Sequence, residues 1–206
     1  MIHHLYPKPH IPHPRAGFTL VELLVVISIF TIISLVVLFK NTQFNSQIIL
    51  SNLAYDVALS IREAQVYGLS VREATPGSGS FEYAYGVHFS SDNSSVYQLF
   101  IDQDENDRFT GSGETLNTYT LRSGFFIPRF CGANGAVENC SDDTVTPITG
   151  LSVIFRRPDP ESLITDNTGA QYGTASIFVE SPGGTQRMVL VQSSGQIAVE
   201  VVDVEA

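Results

Sequence analysis

The chain has 206 residues, 43% of them hydrophobic, and its 21 acidic and 11 basic side chains give a net charge of −10. This much apolar material can form a hydrophobic core, so the composition excludes a wholly disordered chain. The acidic balance excludes general nucleic-acid binding, which needs Lys and Arg to neutralise phosphates. The only two cysteines, Cys131 and Cys140, exclude a disulfide-dense small domain and a four-cysteine zinc site.

The N-terminal region predicts a polar segment followed by a membrane span. Residues 1–17 contain four prolines together with Lys8 and Arg15, a mixture that favours neither a helix nor a buried strand. The next 22 residues, 18–39, are apolar apart from Glu22 and four hydroxyl side chains. A helix of that length covers roughly the 30 Å hydrocarbon core of a bilayer. Basic residues before the span and an acidic remainder after it predict a single pass with most of the chain outside the cytoplasm.

Glu22 is the one charged side chain in this apolar segment. A carboxylate inside a membrane span costs about 3 kcal/mol unless it is protonated or paired. If the chain is cut after Gly17, a new α-amine on Phe18 of a facing helix could neutralise Glu22 and fix the register between subunits. Alternatively, Glu22 is a stray glutamate that reaches the interface near one end of a plain anchor. The small pair Ala16-Gly17 precedes the apolar run, unlike the cleavage site of a secretory signal, so cleavage there would leave the helix on the mature protein.

The residues RAGFTLVELLVV at 15–26 resemble the recognition signature of type IV pilins and type II secretion pseudopilins. The resemblance implies cleavage between Gly17 and Phe18 by a prepilin peptidase, N-methylation of Phe18 by the same enzyme, and a Glu22 that engages the N-terminus of a neighbouring subunit. The implied partners are that peptidase and N-methyltransferase, other pilin or pseudopilin subunits, and an assembly platform in a bacterial inner membrane. Residues 54–73 also resemble the equivalent helix of H-type minor pseudopilins, which favours a minor subunit and leaves a major one open.

Beyond Lys40 the pattern predicts an amphipathic helix that continues to about Gly68. Its apolar positions recur mostly at three- and four-residue steps: Phe44, Ile48, Leu50, Leu53, Val57, Ile61 and Ala64. Alternating patterns and turn residues then predict strands at 83–89, 96–101, 115–121, 125–130, 149–155, 174–180, 185–192 and 196–202, the last three forming a meander.

The predicted fold class is therefore α+β, a pilin-like long N-terminal helix, transmembrane and then amphipathic, packed on an antiparallel β-rich head. The expected organisation is a cleaved leader at 1–17, a transmembrane and filament-core helix at 18–40, an amphipathic continuation at 41–74 and a globular head at 75–206.

Two groups in the head have candidate chemistry. Asp102, Asp104, Asn106 and Glu114 carry oxygen ligands that calcium prefers, although Asp107 stands where an EF-hand loop needs glycine and Glu114 comes one residue late. A solvated acidic loop explains the same residues. Cys131 and Cys140 are interpreted as a structural disulfide in an oxidising compartment, with two free thiols as the alternative.

The sequence contains no recognisable catalytic constellation, so it predicts a structural protein and no certain cofactor, with calcium as the only candidate. His88, in a predicted strand without a second His or Cys nearby, is expected to be a surface residue rather than a metal ligand. The function favoured is that of a structural subunit, in a minor role, of a type IV pilus or a type II secretion pseudopilus. The alternative is a membrane-anchored extracytoplasmic module that binds calcium or another ligand and does not assemble.

Overall fold

The computed structural model describes residues 17–70, 79, 82–122 and 124–202, with the backbone alone for residues 39–45. Of the predicted leader at residues 1–17, residues 1–16 therefore lie outside the described residues. The chain divides into two units, Met1–Thr42 and Gln43–Ala206. One helix, α1, contributes to both and runs over 50 residues from Leu20 to Leu69. The prediction of a helix that starts near Phe18 and ends near Gly68 is confirmed to within two residues.

In the first unit, every side chain of α1 from Leu20 to Leu38 is exposed or nearly so. Its hydroxyl groups are satisfied within the helix. Ser28 Oγ donates to the Leu24 carbonyl at 2.7 Å, and Thr31 Oγ1 donates to the carbonyls of Ile27 and Ser28 at 3.0 and 2.8 Å. This bonding lets small polar residues sit in an apolar helix without leaving a donor unsatisfied in lipid.

In the second unit, one face of α1 is buried in the core of the head. Its members follow steps of four and three residues and have no exposed surface: Leu50, Ala54, Val57, Ile61 and Ala64. The stripe ends at Gly68, where an added Cβ would lie 2.3 Å from the carbonyl oxygen of Phe155, so only glycine allows this close approach. Ile48, which the sequence pattern assigned to the apolar stripe, is instead 47% exposed on the other side of the helix.

Eleven strands in the described part of the chain form two antiparallel sheets. The strands are β1 Ala84–Ser90, β2 Val96–Asp102, β3 Thr115–Thr120, β4 Phe130–Asn134, β5 Val137–Cys140, β6 Gly150–Phe155, β7 Ser162–Asp166, β8 Gln171–Tyr172, β9 Thr174–Glu180, β10 Gln186–Gln192 and β11 Ile197–Val201. The first sheet has the order β3-β2-β1-β6-β7-β8 and the second β11-β10-β9-β4-β5. Both sheets and the buried face of α1 contribute to one hydrophobic core. The predicted α+β, pilin-like architecture is confirmed.

The predicted C-terminal meander is confirmed, because β9 pairs with β10 and β10 with β11, both antiparallel. The strand predicted at 125–130 is wrong. Only Phe126 makes an isolated bridge there, to Glu180, and regular pairing begins at Phe130. Pro128 lies inside the predicted segment and has no N–H to donate to a ladder. The short strands β5, β7 and β8 were not predicted, since their sequences VENC, SLITD and QY carry little periodic signal.

Candidate functional site

The start of α1 lies directly after the predicted cleavage bond. Gly17 and Phe18 precede the helix in a non-helical, exposed segment, and the Phe18 side chain is 85% exposed. Thr19 is the N-cap. Its Oγ1 accepts the N–H of Glu22 at 3.2 Å, and its carbonyl accepts the N–H of Leu23 at 3.2 Å. The Gly17–Phe18 bond therefore lies outside the helix, so cleavage there would not require the helix to unwind.

Glu22 occupies the third position of the helix, so Thr19 and Glu22 have the spacing of a capping box. A carboxylate in the first turn also interacts favourably with the positive end of the helix dipole. Glu22 thus has a local role in starting the helix, which the sequence analysis did not consider. Its side chain is exposed, and it remains available to a group from outside the chain.

The 19 residues from Leu20 to Leu38 form a helix long and apolar enough to cross a membrane, and none of this segment is buried within the chain. At 1.5 Å per residue the segment is about 28 Å long, close to the thickness of the hydrocarbon core. A helix with apolar side chains on every face must bury them against lipid or against other helices.

The family model for the prokaryotic N-terminal methylation motif matches residues 12–38. The chain carries the processing signature of the type IV pilin and pseudopilin family. This pilin-type motif and the apolar helix that follows it are consistent with a single-pass, membrane-anchored substrate of prepilin peptidase. No curated protein and no solved structure matches the chain. The resemblance of residues 54–73 to H-type minor pseudopilins is accordingly not confirmed, and the minor role stays a prediction.

The acidic loop of this pilin-like chain brings together three of its four predicted calcium ligands. Carboxylate oxygens of Asp102, Asp104 and Glu114 lie within 4.8 Å of one another, and Asp102 and Glu114 are buried. The fourth, Asn106, is occupied locally: its Nδ2 donates to Asp104 Oδ2 at 2.6 Å and its Oδ1 accepts the Arg108 N–H at 3.0 Å. The carboxylates are placed by β2, which ends at Asp102, and by the turn that precedes β3.

Two features of the loop differ from the expectation of a plain solvated turn. Asp107, which stands where an EF-hand needs glycine, has a φ of 62° and so adopts the left-handed conformation that the glycine would supply. The loop is also anchored, because Phe109 stacks on His88 with ring centroids 4.6 Å apart and Thr165 Oγ1 donates to the Asp107 carbonyl at 2.5 Å.

The carboxylate oxygens already accept hydrogen bonds from the chain. Asp102 Oδ1 and Oδ2 accept the N–H groups of Asn106 and Asp107, each at 3.1 Å, and Arg156 reaches Asp102 at 3.3 Å. Burial nevertheless raises the pKa of Asp102, more than these hydrogen bonds lower it. These hydrogen bonds and the ion pair with Arg156 compensate part of the Asp102 charge, and a cation placed beside this carboxylate would favour its ionised form. The sequence pattern did not indicate the contact between Arg156 and Asp102, which joins residues 54 apart in the chain.

Cys131 on β4 and Cys140 on β5 are joined by a disulfide, with Cα atoms 4.0 Å apart. The two residues are directly opposite in the register of the hairpin, and both are buried. The bridge closes the hairpin at one edge of the second sheet. A structural role fits this position, because both cysteines are buried and cross-link two paired strands.

The expectation that His88 lies on the surface is wrong, since it is only 8% exposed. His88 lies on the central strand β1, and its Nδ1 is 3.0 Å from Ser152 Oγ on β6. Phe109 covers the ring from above, and burial lowers the pKa of His88 to about 4. The histidine is therefore neutral at pH 7. The alternation of strand residues indicated which face His88 occupies, but not that the acidic loop folds over that face.

A hydrogen-bonded group beside α1 was also missed. Glu63 accepts the hydroxyls of Tyr67 at 2.5 Å and Tyr119 at 2.7 Å, while the hydroxyls of Tyr97 and Ser60 are 3.0 Å apart. The i, i+4 spacing of Glu63 and Tyr67 on a helix was the one signal in the sequence. These contacts join α1 to β2 and β3, and they hold the helix in one rotation about its axis.

Proposed function

We propose that this pilin-like chain is a structural subunit that assembles through its N-terminal helix into a type IV pilus or a type II secretion pseudopilus, in a minor role. The observation that carries the proposal is an apolar helix, Leu20–Leu38, that the described part of the chain leaves unburied and that has the methylation motif at its start. In the membrane, lipid covers these side chains. In a filament, helices of neighbouring subunits replace the lipid, and association depends on van der Waals fit and polar register.

Glu22 would supply the polar register. Cleavage after Gly17 frees an α-amine on Phe18, which the peptidase methylates without removing its positive charge. The amine of one subunit then pairs with Glu22 of its neighbour, so that neither charge is left unpaired in an apolar bundle. One such pair per subunit is enough to select one axial offset among the many that apolar side chains alone would allow.

The proposed location is a bacterial inner membrane, with the head in the periplasm or outside the cell and Lys8 and Arg15 on the cytoplasmic side. There the chain would meet the prepilin peptidase and the assembly platform. An oxidising compartment for the head is supported by the Cys131–Cys140 bridge, because disulfides persist outside the cytosol.

Three variants of Glu22 and its cap test the assembly role in cells that produce the native machine. Glu22→Gln removes the charge and keeps a side chain that can complete a capping box, and Glu22→Ala removes both the charge and that side chain. Thr19→Ser keeps the charge and a hydroxyl that can accept the Glu22 N–H. We expect Glu22→Gln and Glu22→Ala to insert and to be processed but not to enter filaments, and Thr19→Ser to enter normally. Normal incorporation of Glu22→Gln would refute the charge pair. Loss in Glu22→Ala together with normal incorporation of Glu22→Gln would assign the effect to the helix cap.

A second candidate function, an anchored calcium-binding module that does not assemble, is favoured by the three carboxylates within 4.8 Å. If this function is correct, a chelator lowers the melting temperature of the full chain in detergent, added calcium restores it, and Asp104→Asn removes the response. Asp92→Asn, in the turn after β1, is the matched control. A melting temperature that does not respond to chelator or calcium would eliminate the metal.

A further inference from the structure

In the second unit, α1 has a second stripe on the side away from the core. Its positions follow steps of four and three residues and are all exposed: Ile48, Asn52, Tyr55, Leu59, Arg62 and Val66. Four of the six are large apolar or aromatic side chains, exposed by 47% at Ile48, 55% at Tyr55 and Val66, and 64% at Leu59. We call these six residues the outer stripe. Their spacing is that of a helix face that packs along another helix.

The outer stripe forms a ridge between two grooves. A groove of about 320 Å³ lies between the helix and strands β2 and β3, with Tyr97 and Tyr119 in its wall. A groove of about 450 Å³ lies on the other flank, where Gln196 and Ile197 at the start of β11 form the wall. Leu59 lines both grooves. Helices pack against one another by fitting the ridges of one into the grooves of the other.

The two flanks of the ridge carry opposite charges. Asp56 and Glu63 line the groove beside β2 and β3, and Arg62 lines the groove beside β11. Glu63 is occupied by the Tyr67 and Tyr119 hydroxyls, whereas Asp56 is exposed. Arg62 is also exposed and donates to Gln65 Oε1, a contact that leaves most of its five donors available. In the described part of the chain, neither Asp56 nor Arg62 forms an ion pair within the chain.

Opposite charges on opposite flanks make the surface complementary to itself. When copies lie side by side in the same orientation, the acidic flank of one meets the basic flank of the next. Asp56 and Arg62 are six residues apart, which is about 9 Å along a helix. If Asp56 of one copy lies opposite Arg62 of the next, the two copies are therefore displaced along the helix axis by about that distance. Such a head-to-tail contact does not close on itself and generates a helical filament.

We propose that the outer stripe is a lateral contact between copies of this chain, with Asp56 of one copy facing Arg62 of the next and Leu59 and Tyr55 packed between them. The inference rests on the proposed assembly function and adds to it a surface in the head and a partner, a second copy. The contact requires at least two copies side by side, so the proposed minor role would be filled by adjacent copies of the subunit and not by a single one.

Charge reversal in the full-length chain, produced as the only copy in its native cells, tests the contact. Asp56→Arg and Arg62→Asp each replace an opposite-charge pair by a like-charge pair at a surface. We expect each to lower incorporation into sheared filaments on the order of fivefold, and the double variant Asp56→Arg with Arg62→Asp to restore it. The double variant can restore incorporation only if both residues of the pair belong to copies of this chain, so restoration identifies the neighbour as a second copy.

Matched controls separate this effect from damage to the fold. Asp92→Arg and Arg187→Asp make the same charge changes at positions that line neither groove, and we expect normal incorporation. Leu59→Glu should abolish incorporation by placing a carboxylate on the ridge, whereas Val137→Glu, at a site 66% exposed on β5, should not. Protease resistance of the membrane-inserted chain and formation of the Cys131–Cys140 disulfide report folding for every variant.

Single reversals that incorporate normally would overturn the proposal. A double variant that is no better than the single ones would also overturn it, because it would assign the contact to a different subunit. Failure of the assembly function gives a different pattern: Glu22→Gln would then enter filaments, or no filament would contain the chain at all. If Glu22→Gln is excluded while the charge reversals have no effect, assembly stands and only the lateral contact fails.

Discussion

Acidification from pH 7 to pH 5 is expected to destabilise the head through His88. The imidazole is buried among β1, β6 and the acidic loop, and its pKa in the folded chain is lowered to about 4 from 6.5. The folded state therefore binds this proton more weakly than the unfolded state does. The stability that the neutral ring contributes is complete above pH 6.5 and is lost as the pH falls from 6.5 to 4. Linkage with these two values gives a loss of about 2 kcal/mol between pH 7 and pH 5.

A difference measurement isolates this loss from every other titrating group. His88→Asn keeps an acceptor near the position of Nδ1 and removes the titration, while Asp102 and the other carboxylates are shared by both proteins. Urea unfolding of the full chain in detergent, followed by circular dichroism at pH 5, 6 and 7, gives the free energy of unfolding of each. We expect the advantage of the wild type over the variant to shrink by about 2 kcal/mol at pH 5. A difference that does not depend on pH would refute the burial of a neutral His88.

Two further perturbations test the packing of the head. Replacing both Cys131 and Cys140 by Ser opens a ring of about ten residues, and loop entropy predicts a loss of about 2 to 3 kcal/mol of stability relative to the oxidised wild type, measured by urea unfolding. Equal stability of the oxidised wild type and the double variant would contradict this prediction. Gly68→Ala places a Cβ 2.3 Å from the Phe155 carbonyl oxygen and should lower the free energy of unfolding by about 1 to 3 kcal/mol. Gly113→Ala is the control, because an added Cβ there has no atom within 4 Å, and it should change the free energy of unfolding by less than about 0.5 kcal/mol. Equal thermal melting temperatures for these two alanine variants would argue against the close approach of α1 and β6.

The elements with a regular pattern over many residues could be predicted from the sequence. Helix α1 carries fifty residues without a proline, and the meander β9-β10-β11 carries alternating residues separated by clear turn signals. The segment at 125–130 is as apolar as a strand, yet Pro128 interrupts its ladder. Strands as short and polar as β5 and β8 are defined by their neighbours, since two to four residues hold too little periodicity to specify pairing.

Burial depends on what lies against a face, and the sequence does not encode this locally. The helical period identified one apolar stripe on α1 but not that Ile48, which it assigned to that stripe, is exposed. His88 is covered by Phe109, 21 residues away in a loop that the sequence predicted only as acidic. The N-terminal signature is the opposite case, because Gly17, Phe18 and Glu22 lie within six consecutive residues and the matching motif is a linear one.

The mass of the N-terminal peptide of the chain isolated from its native filaments or membranes tests the central claim most directly. The account predicts a mature chain that begins at Phe18 and carries one methyl group on its α-amine, four residues before the carboxylate that the amine of a neighbour is proposed to meet. A working protein that retains residues 1–17 would contradict it, because the amine would not exist and Glu22 would have no partner of that kind.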